Sequence, residues 1–215
     1  MMHIKAVITG DLIGSTAKGA DAIDKSMVAM ANVANRLSNA AGAQTCFTRH
    51  RGDGWQIYLD LPGLCLRAAL MIAAELRAQN TGLATRQSVG LGTVEPIISN
   101  NLSSAFGVAF EVSGSGLDHM DRNRRLLIGG RGIVTPMHEA IFALADWQSA
   151  RWSREQAEAI SIMLSDRQIS FADGASTLGI SRQAFQARLT TAGLAAWEEA
   201  LLAFESDNWS EHPDA

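Results

Sequence analysis

Short apolar runs alternate with helix-length amphipathic stretches over the first half of the chain. Residues 4–9 are apolar and rich in β-branched types, which predicts a buried strand. Residues 17–41 repeat apolar side chains on one helical face, which predicts a long helix. Residues 44–50 and 55–59 predict two strands joined by a hairpin turn, and the alternation over 85–94 predicts a further strand. Gly90 and Gly92 within that strand predict a close approach of another backbone.

The remaining pattern completes a mixed α and β domain. Pro62 suits the first turn of a helix that continues to about residue 79. Residues 102–121 are ambiguous, because three glycines interrupt an apolar helical face, whereas residues 125–128 predict a last strand. The order β-α-β-β-α-β-α-β predicts an α+β fold in which helices cover one face of the sheet.

From residue 136 onward the pattern is entirely helical. Ser153 is followed three residues later by Gln156, the spacing of a capping box at a helix start. We therefore expect four parts, which are a sheet domain over 1–135, a linker helix over 136–152, a helical domain over 153–205 and a flexible tail over 206–215.

Composition narrows the class of protein. The 215 residues carry a formal net charge of −4, so the chain has no global attraction to nucleic acid or to anionic membranes. Cys46 and Cys65 lack metal-ligand spacing, and we expect two reduced thiols of a cytoplasmic protein. No run approaches the roughly 20 apolar residues of a membrane span, so we expect no membrane partner.

Two acidic residues each stand where a predicted strand gives way to a glycine-containing turn. Asp53 lies between two glycines, and Asp11 opens the run Leu12, Ile13, Gly14, Ser15, Thr16. Two carboxylates from neighbouring strands can hold Mg²⁺ together with substrate phosphates. A loop of backbone N–H groups at a helix start favours anions. The pattern therefore predicts a site for a metal ion and a triphosphate.

Each acidic residue also has an interpretation without a ligand. Asp11 could cap the turn that follows it, and Asp53 could be an ordinary hairpin residue. A P-loop is a poor alternative, because no lysine stands beside Ser15 and Thr16 as that motif requires.

These motifs, in this order, resemble those of the class III nucleotidyl cyclases and, more narrowly, of the small bacterial SatD-like proteins. The similarity covers about residues 4–130 and includes the glycine-containing strand over 86–94. It implies a ferredoxin-like, palm-type nucleotidyl cyclase-like domain of the α+β class. Because cyclase-type sites form between subunits, it also implies a homodimer.

The resemblance also implies roles for individual residues. Asp11 and Asp53 match the metal-binding aspartates, with Mg²⁺ or Mn²⁺ as the ion. Arg49 stands where cyclases usually carry a lysine that contacts the base. The residues that would cradle a nucleoside triphosphate or related nucleotide are Leu12, Ile13, Gly14, Ser15 and Thr16, with Arg49 beside them.

Two positions depart from the cyclase pattern. Glu111 and Ser115 stand where cyclases place the asparagine and arginine that stabilise the transition state. An arginine that neutralises developing phosphoryl charge can be worth about 10³–10⁵ in rate. We therefore expect nucleotide binding without cyclase activity. An active Mg²⁺-dependent nucleotidyl-transfer enzyme and a purely structural interaction protein remain as alternatives.

Residues 169–193 have the pattern of a helix-turn-helix. Gly179 fits the turn, Ser181 can cap the second helix, and Phe185 and Leu189 would face inward. Glutamine and arginine can contact base edges and phosphates. The predicted DNA-binding residues are Ser181, Arg182, Gln183, Gln186 and Arg188.

Charge argues for a different use of this helical module. Residues 151–215 contain five arginines, no lysine and ten acidic residues, which gives −5. DNA affinity depends largely on neutralising phosphates, so such a segment would need a local basic face. The sequence therefore leaves two interpretations, a DNA-binding transcriptional regulator and a module for helix packing or dimerisation.

Overall fold

The computed structural model describes residues 3–50, 52–97, 101–166 and 168–210, and in this part of the chain it contains five strands and eight α-helices. Residues 211–215 of the predicted tail lie outside it. In chain order the elements are β1 (Lys5–Ile13), α1 (Ala20–Ala41), β2 (Thr45–Arg49), β3 (Gly54–Leu59), α2 (Cys65–Ala78), β4 (Ala84–Gly92), α3 (Val108–Asp118), β5 (Leu126–Gly129), α4 (Pro136–Ser149), α5 (Arg154–Ser165), α6 (Phe171–Leu178), α7 (Arg182–Ala192) and α8 (Leu194–Glu205).

The strands form one mixed sheet in the order β2-β3-β1-β4-β5. β1 lies in the centre and is antiparallel to β3 and β4, whereas β5 adds to the edge parallel to β4. The first four strands with α1 and α2 have the split β-α-β arrangement of ferredoxin-like folds. The predicted α+β class is therefore confirmed.

Helices cover both faces of the sheet. On one face, Ile8 of β1 and Ile57 of β3 belong to a large apolar core beneath α1 and α2. On the other, Val7 and Tyr58 form a smaller cluster with Ala109 of α3. The expectation that helices cover one face was wrong, because the ambiguous region forms α3 and β1 is apolar on both sides.

The α3 helix approaches the sheet closely because β4 carries glycine where the two elements meet. A Cβ atom at Gly90 would overlap the carbonyl oxygen of Ala109 and lie 2.5 Å from the backbone nitrogen of Ser113. The close backbone approach predicted from the glycines of this strand is confirmed.

The C-terminal helices pack on the sheet domain through a shared core. Trp152 and Trp197 are buried in the same apolar cluster as the sheet, whereas Trp147 is 57% exposed. Arg67 of α2 donates from Nε to Glu205 of α8 at 2.6 Å, and both side chains are about nine-tenths buried. No helix in the described part of the chain combines the length and apolarity that crossing a bilayer requires.

Candidate functional site

Asp11 and Asp53 come to the same corner of the sheet. β1 and β3 are adjacent and antiparallel, so the end of β1 lies beside the hairpin that begins β3. In this register Asp11 is opposite Gly54, and Leu12 donates its backbone N–H to the carbonyl of Asp53 at 3.2 Å. Backbone pairing therefore fixes the two predicted metal ligands in neighbouring positions.

Arg86 of β4 binds Asp11 across the strand pair. The two residues are directly opposite in the register. Arg86 donates from Nε to Oδ1 of Asp11 at 3.0 Å and from Nη2 to Oδ2, so the ion pair is bidentate. The hydrogen bond to Asp11 raises the pKa of Arg86, with further contributions from the charges of Asp118 and Asp53. Sequence reasoning missed Arg86, whose only signal was its position early in the glycine-containing strand.

Asp53 is tied to the loop that follows β1. Ser15 donates its hydroxyl to Oδ2 of Asp53, which closes the predicted phosphate loop onto the hairpin. Gly14 permits this turn because its φ is 84°, in the left-handed region that favours glycine. The prediction that Leu12 and Ile13 belong to this loop was wrong, because β1 continues to Ile13 and both residues pair with β4. Leu12 is buried in the core, whereas Ile13 and Thr16 are exposed.

Two consecutive hydrogen bonds from buried side chains fix the backbone carbonyl of Asp11. Trp55 donates from Nε1 to the hydroxyl of Thr85 at 3.0 Å. Thr85 donates in turn to the carbonyl of Asp11 at 2.6 Å. Trp55 is fully buried, so the C-terminal end of β1 is anchored to the packed core.

A second chain of polar contacts runs beneath α3. Gln56 accepts from Nε2 of His50 at 2.5 Å and donates to the hydroxyl of Thr9 at 3.2 Å. Thr9 and Ser113 share a hydrogen bond of 2.8 Å between their hydroxyls. These polar groups link the residue that follows β2 to β3, β1 and α3 along the face that carries Asp11.

Arg49 lies on the opposite face of the sheet from Asp11. Arg49 follows Thr48 in β2, so the two residues belong to opposite faces of the sheet. Thr48 pairs with Gln56, on the face that carries Asp11. Arg49 donates from Nη1 to Asp24 of α1 at 2.7 Å and from Nε to the carbonyl of Gly52 at 3.2 Å. The structure therefore does not bring Arg49 together with Asp11, and its guanidinium joins α1 to the hairpin.

The two departures from the cyclase pattern both lie on the solvent side of α3. Glu111 and Ser115 are exposed, one helical turn apart. Neither supplies a positive charge to the corner formed by Asp11 and Asp53. Asp118, one turn further along the helix, is close enough for its charge to act on Arg86.

The corner offers two carboxylates to a metal ion. In the described part of the chain no group of three or more His, Cys, Asp or Glu side chains is arranged to hold one. Mg²⁺ is usually bound by one or two carboxylates together with substrate phosphates and water, so Asp11 and Asp53 are the residues that could hold it here. Both oxygens of Asp11 accept from Arg86, which would have to release them first.

The predicted DNA-contacting residues are distributed unevenly on α7. Ser181 caps the helix by accepting from the backbone N–H of Ala184 at 3.1 Å. Arg182, Gln183 and Gln186 are exposed on the first two turns. Arg188 is half-buried and donates to Glu158 of α5 at 3.2 Å, so it stands apart from the other three.

The turn between α6 and α7 is three residues long. Gly179 ends α6 with a φ of 65°, and Ile180 donates its N–H back to Ala175 at 3.1 Å. Phe185 is fully buried and contacts Phe171 edge to face. Two short helices joined in this way leave the start of α7 facing solvent.

Comparisons with known proteins give little additional information. No family model matches the chain, and no curated protein matches it. Among solved structures, the crystal structure of the guanylyl cyclase Cya2 is similar with a TM-score of 0.37 and 12% identity, over 63% of this chain and 84% of that chain. What this chain does is therefore inferred from its own contacts.

Proposed function

We propose that the chain is a nucleotide-binding regulator whose first domain is class III nucleotidyl cyclase-like and SatD-like. The observation that carries the proposal is the convergence of Asp11, Asp53, Ser15 and Arg86 at one corner of the sheet. Asp11 and Asp53 would hold Mg²⁺ or Mn²⁺, which neutralises phosphate charge when bound. Ser15 and the adjoining backbone N–H groups would contact the phosphates of a nucleoside triphosphate.

Arg86 has two uses in this proposal. Without ligand it neutralises Asp11. Once a divalent cation occupies Asp11, the guanidinium is released, and it can bind phosphate with two parallel N–H bonds. The cation would free Arg86 to bind phosphate, and the phosphates of the nucleotide would complete the ligands of the cation. Each ligand would therefore strengthen the binding of the other.

We propose binding rather than turnover because the corner lacks a second positive group from α3. Glu111 and Ser115 are exposed and carry no positive charge. The alternative is an active nucleotidyl-transfer enzyme in which Arg86 alone neutralises the transition state. Incubation with each labelled nucleoside triphosphate separates the two, since only the alternative predicts a product that requires Asp53.

The nucleotide proposal is tested by equilibrium binding of each nucleoside triphosphate with and without Mg²⁺. Asp53→Asn keeps the shape of the side chain but removes a charged metal ligand, so we expect at least about a tenfold loss of Mg²⁺-dependent affinity. Asp21→Asn, on the exposed first turn of α1, is the matched control and should bind like the parent. Equal affinity of the parent and Asp53→Asn would contradict the proposal.

The regulatory half of the proposal places DNA on the start of α7. Arg182, Gln183 and Gln186 are exposed there, and glutamine and arginine pair with base edges in the major groove. The acidic surroundings predict modest affinity that falls steeply with salt. A cytoplasmic homodimer would present two such helices to a two-fold site. The alternative is that the same surface contacts protein.

Selection of bound sequences at low salt tests the DNA contact. Gln186→Ala should cost about 1–3 kcal/mol on an enriched sequence and little on random DNA. Gln79→Ala, at the end of α2, is the matched control, because it removes an exposed side-chain amide outside the C-terminal helices. If no sequence is enriched, the protein-contact alternative replaces DNA binding.

A further inference from the structure

One side of α4 exposes an apolar seam to solvent. Met137, Leu144 and Trp147 are 67%, 63% and 57% exposed, and Ala140 lies between them. The four positions are spaced by three, four and three residues, so they fall on one narrow stripe of the helix. The opposite side of α4, with Phe142 and Ala145, is buried in the core, so the helix is apolar on both sides.

The spacing of the seam is that of helices that pack against a partner helix. Apolar residues separated alternately by three and four positions form the interface of coiled-coil pairs. Single exposed apolar residues are ordinary on a protein surface, but a contiguous stripe marks an interaction site. The positions beside the seam carry no charge, since they are Pro136, Ile141, Ala143 and Gln148.

We propose that this seam is the contact between two copies of the chain, which pair their α4 helices antiparallel about a two-fold axis near residue 142. In that register Ala140 of each copy faces Leu144 of the other, and Met137 faces Trp147. A small residue therefore meets a large one at each inner level, as closely packed helices require. The contact is self-complementary, which a two-fold interface demands.

Charge decides the direction of the pairing. Arg151 lies in line with the seam, and its guanidinium is held 4.3 Å from the centre of the Trp147 ring while Nη1 donates to the Trp147 carbonyl at 2.6 Å. A parallel pair would bring the two Arg151 side chains together. The antiparallel pair separates their Cα atoms by about 27 Å along the axis, at 1.5 Å per residue.

The area of the seam predicts a weak dimer. The three large side chains are 57–67% exposed, so with the adjoining alanines they would bury about 400 Å² on each copy, since even a fully covered aromatic side chain buries only about 150–250 Å². The total of about 800 Å² is below the roughly 1,200 Å² at which standard-size protein interfaces begin. We therefore expect an equilibrium between monomer and dimer that depends on protein concentration.

Sedimentation equilibrium of the full chain over a range of concentrations tests the proposal. Leu144→Glu places two carboxylates in the seam, and we expect at least about a tenfold weaker dimer. Leu202→Glu is the matched control, because Leu202 of α8 is also 63% exposed but lies on another helix. Emission from Trp147 should shift to shorter wavelength on dimerisation, and Trp147→Phe should abolish that shift while the dimer remains.

Each outcome decides the proposal. Weaker association of Leu144→Glu, with Leu202→Glu like the parent, supports it. A parent that stays monomeric at all concentrations overturns it, as does a dimer that Leu144→Glu leaves unchanged. If Leu144→Glu unfolds more easily than Leu202→Glu, Leu144→Gln repeats the comparison without burying a charge. Nucleotide binding plays no part in this test, so failure here leaves the nucleotide proposal standing.

Discussion

The two faces of the sheet differ in what their side chains do. The face beneath α1 and α2 is almost entirely apolar, and its core continues without a break into the C-terminal helices. The face beneath α3 has a small apolar cluster around Val7 and Tyr58, and polar groups occupy the rest. These include the chain from His50 to Ser113 and the Asp11–Arg86 pair.

This difference separates stability from binding. Apolar burial is the main source of folding free energy, so the face beneath α1 and α2 has to hold the fold together. The face beneath α3 places charged groups where they remain about one-third exposed, as Asp11 and Arg86 are. Partly exposed charges contribute little to stability but can exchange partners with a ligand. We expect substitutions on the two faces to have correspondingly different effects.

The largest effect on stability is expected at the buried Arg67–Glu205 pair, on the side of α1 and α2. Glu205→Gln leaves the Arg67 guanidinium buried opposite a neutral group. Removing one member of a buried pair typically costs about 3–5 kcal/mol when the remaining charge is left uncompensated. The charge of Glu198 also acts on Arg67, so we expect a loss at the lower end of this range. Urea denaturation of Glu205→Gln measures this loss of free energy of unfolding.

A double substitution separates the burial of charge from the loss of packing. Arg67→Met with Glu205→Leu removes both charges and keeps apolar volume, so it should be much less destabilising than Glu205→Gln. Asp21→Asn, at an exposed pair with Lys25, should cost less than about 1 kcal/mol. A loss at Glu205 no greater than at Asp21 would show that the buried pair does not stabilise the docking of α8.

A smaller effect is expected where α3 meets the sheet. Gly90→Ala introduces a Cβ into the backbone of α3, and we expect a loss of about 1–3 kcal/mol as the helix shifts. Gly114→Ala, in α3 itself, is the matched control, because no atom lies within 4 Å of its added Cβ. Alanine is the better helix former by about 1 kcal/mol, so Gly114→Ala should stabilise the protein.

Denaturation midpoints of both glycine variants check the packing of α3. Opposite signs for Gly90→Ala and Gly114→Ala would support the close contact with β4. Equal effects would show that α3 tolerates a side chain at Gly90 and that its approach to the sheet is looser than described. Nucleotide affinity of Gly90→Ala then reports whether the corner depends on this helix.

The smallest effect is expected at Asp60, at the other end of the face beneath α3. Burial alone would raise the pKa of Asp60, but hydrogen bonds from Lys5 at 2.6 Å and Tyr58 at 3.0 Å outweigh it and lower the pKa. A lowered pKa stabilises the fold above the unfolded-state pKa of about 4. That contribution disappears as pH falls through the lower, folded-state pKa.

Asp60→Asn should therefore cost under about 1 kcal/mol at neutral pH, because Asp60 is partly exposed. The difference from the parent should shrink as pH falls below about 4. Denaturation of both proteins across this pH range measures it. A difference that is the same at all pH values would assign the loss to shape and not to charge.

The sequence predicted the elements that depend on local pattern. Periodicity alone placed β1, α1 and the hairpin, because residues four apart share a helical face and alternate residues share a strand face. The glycine-containing turns beside Asp11 and Asp53 singled out these two residues, and strand pairing brings them to one corner. The glycines of β4 predicted a close approach, although not which helix would make it.

Only the tertiary structure decided which partners these residues have. Arg86 is 75 positions from Asp11, and it binds there because β1 and β4 pair in one register. Arg49 was predicted beside the nucleotide, yet its strand position turns it to the other face. The rotation of α4 on the core leaves Trp147 exposed, whereas Phe142 of the same helix is buried. Local pattern fixes the faces of an element, whereas register and rotation, which depend on packing against distant residues, determine what each face meets.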